Sequence, residues 1–215
     1  MPCDCCKVGL DEMFDDRIAK HEANRFRKKG LPVRSRRLLK AIESTLPLAG
    51  ATAREVGAGV GGFTITLLQR GVARASIVDA VPAYVAEARR LAADYGVAGS
   101  LELEVADYVV RAPELPDADL VVMDRVVCCY PAWRDLLLAA SADSRRVLAL
   151  SYPRDALWVR FGVATINLVQ RLRRQTFRVF VHPPREMHHL LRQQGFRTEI
   201  VGHRGVWELA IAIRE

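Results

Sequence analysis

The densest group of residues able to bind a ligand is a glycine-rich run with one acid. It reads EVGAGVGG from Glu55 to Gly62 and lies where a β-rich segment should turn into a helix. Glycines accept positive φ and let a backbone approach a ligand closely, and a helix starting behind them offers backbone amides and the positive end of its dipole. The run therefore predicts a cofactor cradle. Gly57, Gly59 and Gly62 also satisfy a dinucleotide fingerprint, so the glycines alone leave the cofactor open.

Three further acids, Asp79, Asp107 and Asp124, fall where successive predicted strands end. In an open α/β sheet this edge binds ligands. Asp79, 22 residues after Gly57, can accept hydrogen bonds from both hydroxyls of a ribose, although it could also cap the helix that starts near Pro82. Asp107 is followed by Tyr108, which is placed to bind and pack on an adenine.

Glu55 distinguishes between the two cofactor classes. An acid two residues before the first glycine can meet a cationic amino group, whereas beside a pyrophosphate it has no favourable role. A ribose, an adenine and a positively charged amino-acid tail together describe S-adenosylmethionine. We therefore expect S-adenosylmethionine as cofactor and S-adenosylhomocysteine as its product.

Residues after the fourth predicted strand are placed to act on a substrate. Asp124 or Tyr130 could accept a proton, and Arg125 could bind an anionic substrate group through two hydrogen bonds. Arg125 could instead form a structural ion pair with Asp124 or Asp107. His182 ends a β-like run and is a further candidate general base, because histidine titrates near neutral pH.

The five cysteines occur as Cys3, Cys5 and Cys6 near the N-terminus and as Cys128 and Cys129 after the fourth strand. This spacing does not resemble a disulfide framework, and we expect reduced thiols. Cys128 and Cys129 are expected to be buried apolar residues. No metal site is predicted, although a tail folded onto Cys128 and Cys129 could form a thiolate cluster for a soft metal or metalloid.

Short β-rich runs alternate with amphipathic helices from residue 52 onward. The predicted strands are Thr52–Val56, 75–78, Leu101–Val105, 119–123 and 146–151, and the predicted helices are 62–70, 82–95 and 131–140. Two helices within residues 11–45, with a break at residues 30–32, precede them. Regular β-α alternation predicts an α/β fold with a doubly wound, mostly parallel sheet.

The pattern changes after residue 151. We expect a helix over 156–174, a short β-like run over 177–181, a helix over 184–194, and two strands over 196–201 and 206–213 that pair as a terminal hairpin. The helix over 156–174 carries Leu157, Phe161, Ala164, Leu168 and Leu172 at helical spacing. This face is expected to pack in the core. Alternatively, it could line a hydrophobic substrate pocket or lie on a membrane surface.

The 215 residues are enough for one domain with a sizeable core, in which 1–48 form a tail and helical cap, 50–151 the cofactor-binding half, and 152–215 the insertion and hairpin. Half of the residues are apolar, which excludes a disordered chain. The longest apolar stretch is too short to span a bilayer and no signal core is present, so we expect a cytoplasmic protein. The net charge of +7 is concentrated in residues 145–215, with 13 arginines and five acids.

The E-x-G-x-G-x-G turn, Asp79, Asp107 and the strand DLVVMD ending at Asp124 together resemble the class I S-adenosylmethionine-dependent methyltransferases. The resemblance covers roughly residues 50–151 and extends more loosely to the C-terminus, with a layout similar to magnesium-protoporphyrin O-methyltransferases. It implies a seven-stranded Rossmann-like sheet whose last strand is antiparallel. It also implies methionine binding by Glu55, Gly57, Gly59 and Gly61, ribose binding by Asp79, and adenine binding by Asp107. Ala58, Ala80, Tyr108 and Asp124 are expected to complete this cofactor site.

The expected activity is therefore methyl transfer to a small, partly hydrophobic and acidic molecule. Two alternatives remain at this point. The arginine-rich residues 145–215 and a basic run from Arg25 to Lys40 suit an RNA methyltransferase, although no RNA-binding module is recognisable. A non-catalytic protein that binds S-adenosylmethionine would carry the same cofactor residues. Peripheral membrane contact is possible, and the oligomeric state is left open.

Overall fold

The computed structural model describes residues 9–215, apart from the side chains of Asp11 and Glu12. Cys3, Cys5 and Cys6, and with them any thiolate cluster at the N-terminus, lie outside the described residues.

Seven strands form one sheet: β1 Thr52–Val56, β2 Arg74–Asp79, β3 Leu101–Val105, β4 Ala118–Asp124, β5 Ser144–Pro153, β6 Phe196–Arg204 and β7 Trp207–Arg214. Their order is β3-β2-β1-β4-β5-β7-β6. Pairing is parallel from β3 to β5, and β7 is antiparallel to both β5 and β6. The predicted Rossmann-like sheet with an antiparallel last strand is confirmed.

Helices cover both faces of this sheet. They are α1 Leu10–Met13, α2 Asp16–Lys29, α3 Val33–Thr45, α4 Gly62–Gln69, α5 Pro82–Asp94, α6 Tyr108–Arg111, α7 Trp133–Asp143, α8 Leu157–Leu172 and α9 Pro184–Gln193. The N-terminal helices and the helical insertion after the fifth strand are therefore present as predicted. Short 3-10 turns occupy Ala98–Ser100, Ala112–Glu114 and Val127–Cys129.

Strand β4 shows how the sequence divides the core between the two faces. Successive side chains of a strand point to opposite faces. Leu120 and Val122 accordingly join the cluster beneath α2 to α5, while Val121 and Met123 join the cluster beneath α7 and α9. Burial on both faces explains why the strand reads as a continuous apolar run.

The predicted β-like run over 177–181 is wrong, because no strand forms there. The backbone of Val179 bonds the side chain of Asn167 instead, with N–H to Oδ1 at 2.9 Å and C=O to Nδ2 at 2.8 Å. The amide of Phe180 donates to the carbonyl of Cys128 at 2.8 Å. Contacts distant in sequence thus satisfy the backbone groups that a strand neighbour would otherwise bind.

The prediction that this face of the helix over 156–174 packs in the core is also wrong. Leu157, Phe161, Leu168 and Leu172 are the exposed side of α8, whereas Val159 and Gln170 are buried on the opposite side. The sequence periodicity correctly indicates an amphipathic helix. It does not indicate which of two apolar faces turns inward.

Candidate functional site

The glycine turn between β1 and α4 has the expected conformation. Gly57, Gly59 and Gly61 have φ of 59°, 56° and 73°. A Cβ on Gly57 would lie 2.6 Å from Cγ2 of Val126, in the segment that follows β4. Gly57, Ala58 and Gly59 line a large cavity at this edge of the sheet. The described residues that line the cavity do not include Gly61. A Cβ on Gly61 would lie 2.8 Å from Cδ1 of Ile77, so this glycine allows the turn to pack closely against β2.

Glu55 lies at the floor of the cavity and is nearly fully buried. Its Oε2 accepts hydrogen bonds from the backbone N–H of Thr64 at 3.0 Å and from the Thr64 hydroxyl at 2.5 Å. Burial raises the pKa of Glu55 to about 8, with smaller contributions from Asp124 and Asp79, and the bonds from Thr64 oppose that rise. The carboxyl group is therefore largely protonated at neutral pH.

Asp79 ends β2 beside the glycine turn. Its Oδ2 accepts from the N–H of Gly59 and its Oδ1 from the N–H of Val81, both at 2.9 Å. Val81 is the N-cap residue of α5 and this helix end has no side-chain cap, so the alternative role of Asp79 as a helix cap is not seen. Burial raises the pKa of Asp79 to about 6, against the effect of the two backbone donors. Asp79 and the neighbouring Ala80 line the cavity, and each Asp79 oxygen retains acceptor capacity.

Asp107 and Tyr130 contact one another across the next part of the cavity wall. The Tyr130 hydroxyl lies 3.1 and 3.2 Å from the two carboxylate oxygens of Asp107, which also caps α6 through the N–H of Val109. Tyr108 differs from its expected arrangement, because its hydroxyl donates to the buried Asp143 at 2.7 Å. Tyr108 lines the cavity but its hydroxyl already has this partner, so a direct hydrogen bond to adenine is not the contact that the structure favours.

Asp124 is held by residues from a helix that lies 90 positions earlier in the chain. Arg34 donates Nε and Nη2 to its two oxygens at 2.9 and 3.1 Å, and Ser35 donates to Oδ2 at 2.5 Å. Ser151 also donates to Oδ1. Burial acts to raise the pKa of Asp124, but hydrogen bonding and the charge of Arg34 outweigh it and the pKa is lowered. An ion-paired carboxylate with these donors is a poor proton acceptor, so we assign Asp124 no role as general base.

Arg125 directly follows Asp124 and has φ of 71°, in the left-handed region that non-glycine residues rarely adopt. Two bonds hold this geometry, because its N–H contacts the carbonyl oxygen and the hydroxyl of Ser151 at 3.2 and 2.9 Å. The side chain is exposed and lines the cavity. Of the ion pairs found among the described residues none involves Arg125, so the predicted pairing with Asp124 or Asp107 is not seen.

Cys128 and Cys129 lie on the same wall with their sulfur atoms 3.7 Å apart. Cys128 is buried as expected, whereas Cys129 is partly exposed. A hydrogen bond from Cys128 lowers the pKa of Cys129 against the effect of burial, and the charge of Arg125 adds to that lowering.

His182 lies outside the site to which the sequence assigned it. Its Nε2 contacts the carbonyl oxygen of Tyr130 at 3.0 Å, and its ring stacks on Phe180. The described residues on the cavity wall do not include His182. Burial lowers its pKa although bonds to backbone carbonyls oppose this. A neutral ring packed behind the wall supports Tyr130 and does not reach a substrate.

The cavity has a volume of about 580 Å³. The glycine turn and the strand-end acids form part of its wall. The cavity wall also includes the apolar side chains of Trp158, Val159, Ile166 and Trp207, and the cations Arg25, Arg34 and Arg125. The sequence did not single out Glu22, Tyr84 or Arg25 as site residues. They reach the cavity because α2 and α5 pack beside the glycine turn, which no local motif encodes.

No protein-family model matches the sequence, and comparison with curated proteins finds no relative. Solved structures do match. A magnesium protoporphyrin IX methyltransferase from Synechocystis PCC 6803 with bound S-adenosylhomocysteine superposes with a TM-score of 0.73 at 17% identity, covering 98% of this chain and 100% of that one. An O-methyltransferase family protein from Burkholderia thailandensis gives a TM-score of 0.74 at 17% identity, covering 97% of this chain and 63% of that one. An O-methyltransferase family 2 protein from Planctomyces limnophilus, in complex with apigenin, gives 0.70 at 17% identity over 97% and 64% of the two chains.

These similarities extend over nearly the whole chain and agree with the strand order and the glycine turn. The antiparallel β7 and the helices on both faces of the sheet are part of the same arrangement. The chain therefore has the Rossmann-like fold of the class I S-adenosylmethionine-dependent methyltransferases.

Proposed function

We propose that the protein is an S-adenosylmethionine-dependent methyltransferase acting on a small, partly apolar molecule with an acidic group. One observation carries this proposal: a single cavity is lined by the glycine turn, the strand-end acids, apolar side chains of α8 and three arginines. Ligands of open α/β sheets bind at this edge. The similar structures include a magnesium protoporphyrin IX methyltransferase and an O-methyltransferase family 2 protein in complex with apigenin, which favours a small molecule over RNA as the substrate.

Each part of the cofactor has a candidate partner on the cavity wall. The amino group would lie near Glu55 and the amides of residues 57–59, because a buried carboxyl group there can balance its charge. Asp79 would accept from the ribose hydroxyls through acceptor sites left by its backbone bonds. Asp107 and the ring of Tyr108 would bound the adenine. S-adenosylmethionine supplies an electrophilic sulfonium methyl group when it is bound.

The chain's own contribution to the reaction is positioning. Arg125 and Arg25 would hold the acidic group of the substrate, and apolar residues such as Trp158 and Ile166 would hold its body and exclude water. Aligning the nucleophile with the methyl group supplies most of the rate enhancement in this type of displacement. Where the nucleophile carries a proton, the Tyr130 hydroxyl could accept it while passing its own proton to the Asp107 carboxylate, to which it donates a hydrogen bond.

Calorimetric titration with S-adenosylhomocysteine tests the cofactor assignment. Wild type should bind in the micromolar range, and Asp79→Asn should weaken binding by about 100-fold, since it loses a charged acceptor in a buried site. Asp117→Asn is the matched control, because Asp117 is exposed and lies outside the described cavity wall. Binding of NADH in place of S-adenosylhomocysteine would contradict the proposal.

The acidic-substrate assignment is tested by measuring production of S-adenosylhomocysteine with apolar carboxylic acids and with their neutral amides. Arg125→Gln should raise KM about tenfold for the acids and leave KM for the amides unchanged. Arg89→Gln is the control, an exposed arginine on α5 outside the cavity. Equal KM changes for acids and amides would remove Arg125 from substrate recognition while leaving the cofactor assignment intact.

A further inference from the structure

The outer face of helix α8 is an exposed apolar surface. Leu157 is 86% exposed, Phe161 76%, Leu168 56% and Leu172 75%. Their spacing places them along one side of the helix. Isolated exposed apolar residues need no explanation, but a contiguous apolar stripe on a soluble domain marks an interaction surface. We refer to these four residues as the α8 stripe.

Arginines border the α8 stripe. Arg160 and Arg171 are separated by about three helical turns and so lie on the same edge. Arg173 and Arg174 follow the last turn, and all four side chains are exposed. Asp155 forms an ion pair with Arg160 and offsets its charge, so the cationic border is carried by Arg171, Arg173 and Arg174. An apolar face with a cationic border is the pattern of a helix lying at the interface of an anionic membrane.

The opposite face of α8 lines the cavity through Val159, Val163 and Ile166. The helix is thus a wall between the candidate site and the surroundings. In the described part of the chain, no helix is long and apolar enough to cross a membrane.

We propose that the α8 stripe and its bordering arginines bind the surface of an anionic lipid bilayer. A second copy of the chain fits this surface less well. A stripe about 24 Å long and roughly 10 Å across offers far less than the ~800 Å² that each partner of a stable dimer usually buries.

Vesicle co-sedimentation of the full chain without added ligand tests the proposal independently of methyl transfer. We expect binding to phosphatidylcholine vesicles containing about 30% phosphatidylglycerol and at least tenfold weaker binding to phosphatidylcholine alone. Binding to the anionic vesicles should decrease as salt rises from about 0.1 to 0.5 M, because screening shortens the range of the arginine charges.

Two variants separate the apolar and cationic contributions. Phe161→Ser with Leu172→Ser should weaken binding more than about 100-fold, since two large side chains no longer enter the interface. Arg171→Gln with Arg173→Gln should weaken it about 25-fold. Arg74→Gln with Arg146→Gln is the matched control, because these exposed arginines lie near the amino ends of β2 and β5.

Folding is checked by thermal unfolding and by the affinity for S-adenosylhomocysteine, neither of which should change in the variants. Equal binding of wild type and Phe161→Ser/Leu172→Ser to anionic vesicles would overturn the proposal. So would a wild-type dimer in sedimentation equilibrium that the same variant dissociates, in the absence of vesicle binding. Equal loss in the Arg74/Arg146 control would also overturn it, since binding would then follow net charge and not the α8 stripe.

Discussion

Glu55 is the residue whose protonation should report cofactor binding. Its pKa of about 8 leaves it largely protonated at neutral pH. A ligand ammonium group beside it would favour the carboxylate, so binding of S-adenosylhomocysteine at pH 7 should release about one proton. Calorimetry in buffers of different ionisation enthalpy measures that number. Glu55→Gln should release none, whereas the exposed Glu114→Gln should match wild type.

The same residue predicts a pH dependence of stability in the ligand-free protein. Because the folded-state pKa of Glu55 is raised from 4.5 to about 8, its protonated form favours folding below about pH 4.5 and that contribution is lost as pH rises to 8. Asp79 acts in the same direction between about pH 3.8 and 6. The free energy of unfolding of wild type relative to Glu55→Gln should therefore fall from pH 5 to pH 8. A pH-independent difference in urea unfolding would contradict this.

At the scale of elements, the pair between Arg34 and Asp124 joins helix α3 to the end of strand β4. Its side chains are only 11% and 9% exposed. Arg34→Met leaves a buried carboxylate without its cation and should cost about 3 kcal/mol of unfolding free energy. Arg27→Met removes a pair with Asp94 whose side chains are 35% and 50% exposed, and should cost under about 1 kcal/mol. Urea denaturation measures the free energy of unfolding of both variants. Equal losses of unfolding free energy would contradict the larger contribution of the buried pair.

The turn between β1 and α4 gives a second prediction at this scale. Gly57→Ala should weaken S-adenosylhomocysteine binding at least about tenfold, because positive φ and contact with Val126 would shift the segment that lines the cavity. Gly96 also has a positive φ, 70°, but no atom lies within 4 Å of a Cβ added there, so Gly96→Ala is the control. It should lose stability without losing affinity. Loss of affinity in both variants would attribute the effect to backbone strain alone.

At the scale of the whole molecule, a ligand that binds only the folded state stabilises it by mass action. S-adenosylhomocysteine at about 100 times its Kd should add roughly 2.7 kcal/mol and raise Tm by about 5–10 °C for a chain of this size. NADH at the same concentration should leave Tm unchanged. Scanning fluorimetry measures both, and a shift with NADH alone would favour a dinucleotide site.

The sequence by itself determined the α/β class, the order of strands and helices through β5, and the terminal hairpin. It also placed Glu55, Gly57, Asp79 and Asp107 at one edge of the sheet. These features depend on local alternation and on the rule that parallel strands share a carboxyl edge, so they can be inferred without knowing distant contacts.

Only the tertiary structure decided which partners these residues have. Arg34 bonds Asp124, which lies 90 positions later in the chain, and His182 packs behind the cavity wall. Asn167 bonds the backbone of Val179, which therefore pairs with no strand. The face of α8 that turns outward was decided in the same way. Side-chain pairing and the choice between two apolar faces depend on how the helices pack on the sheet. Such contacts join elements that are distant in sequence, so the local pattern of apolar residues does not predict them.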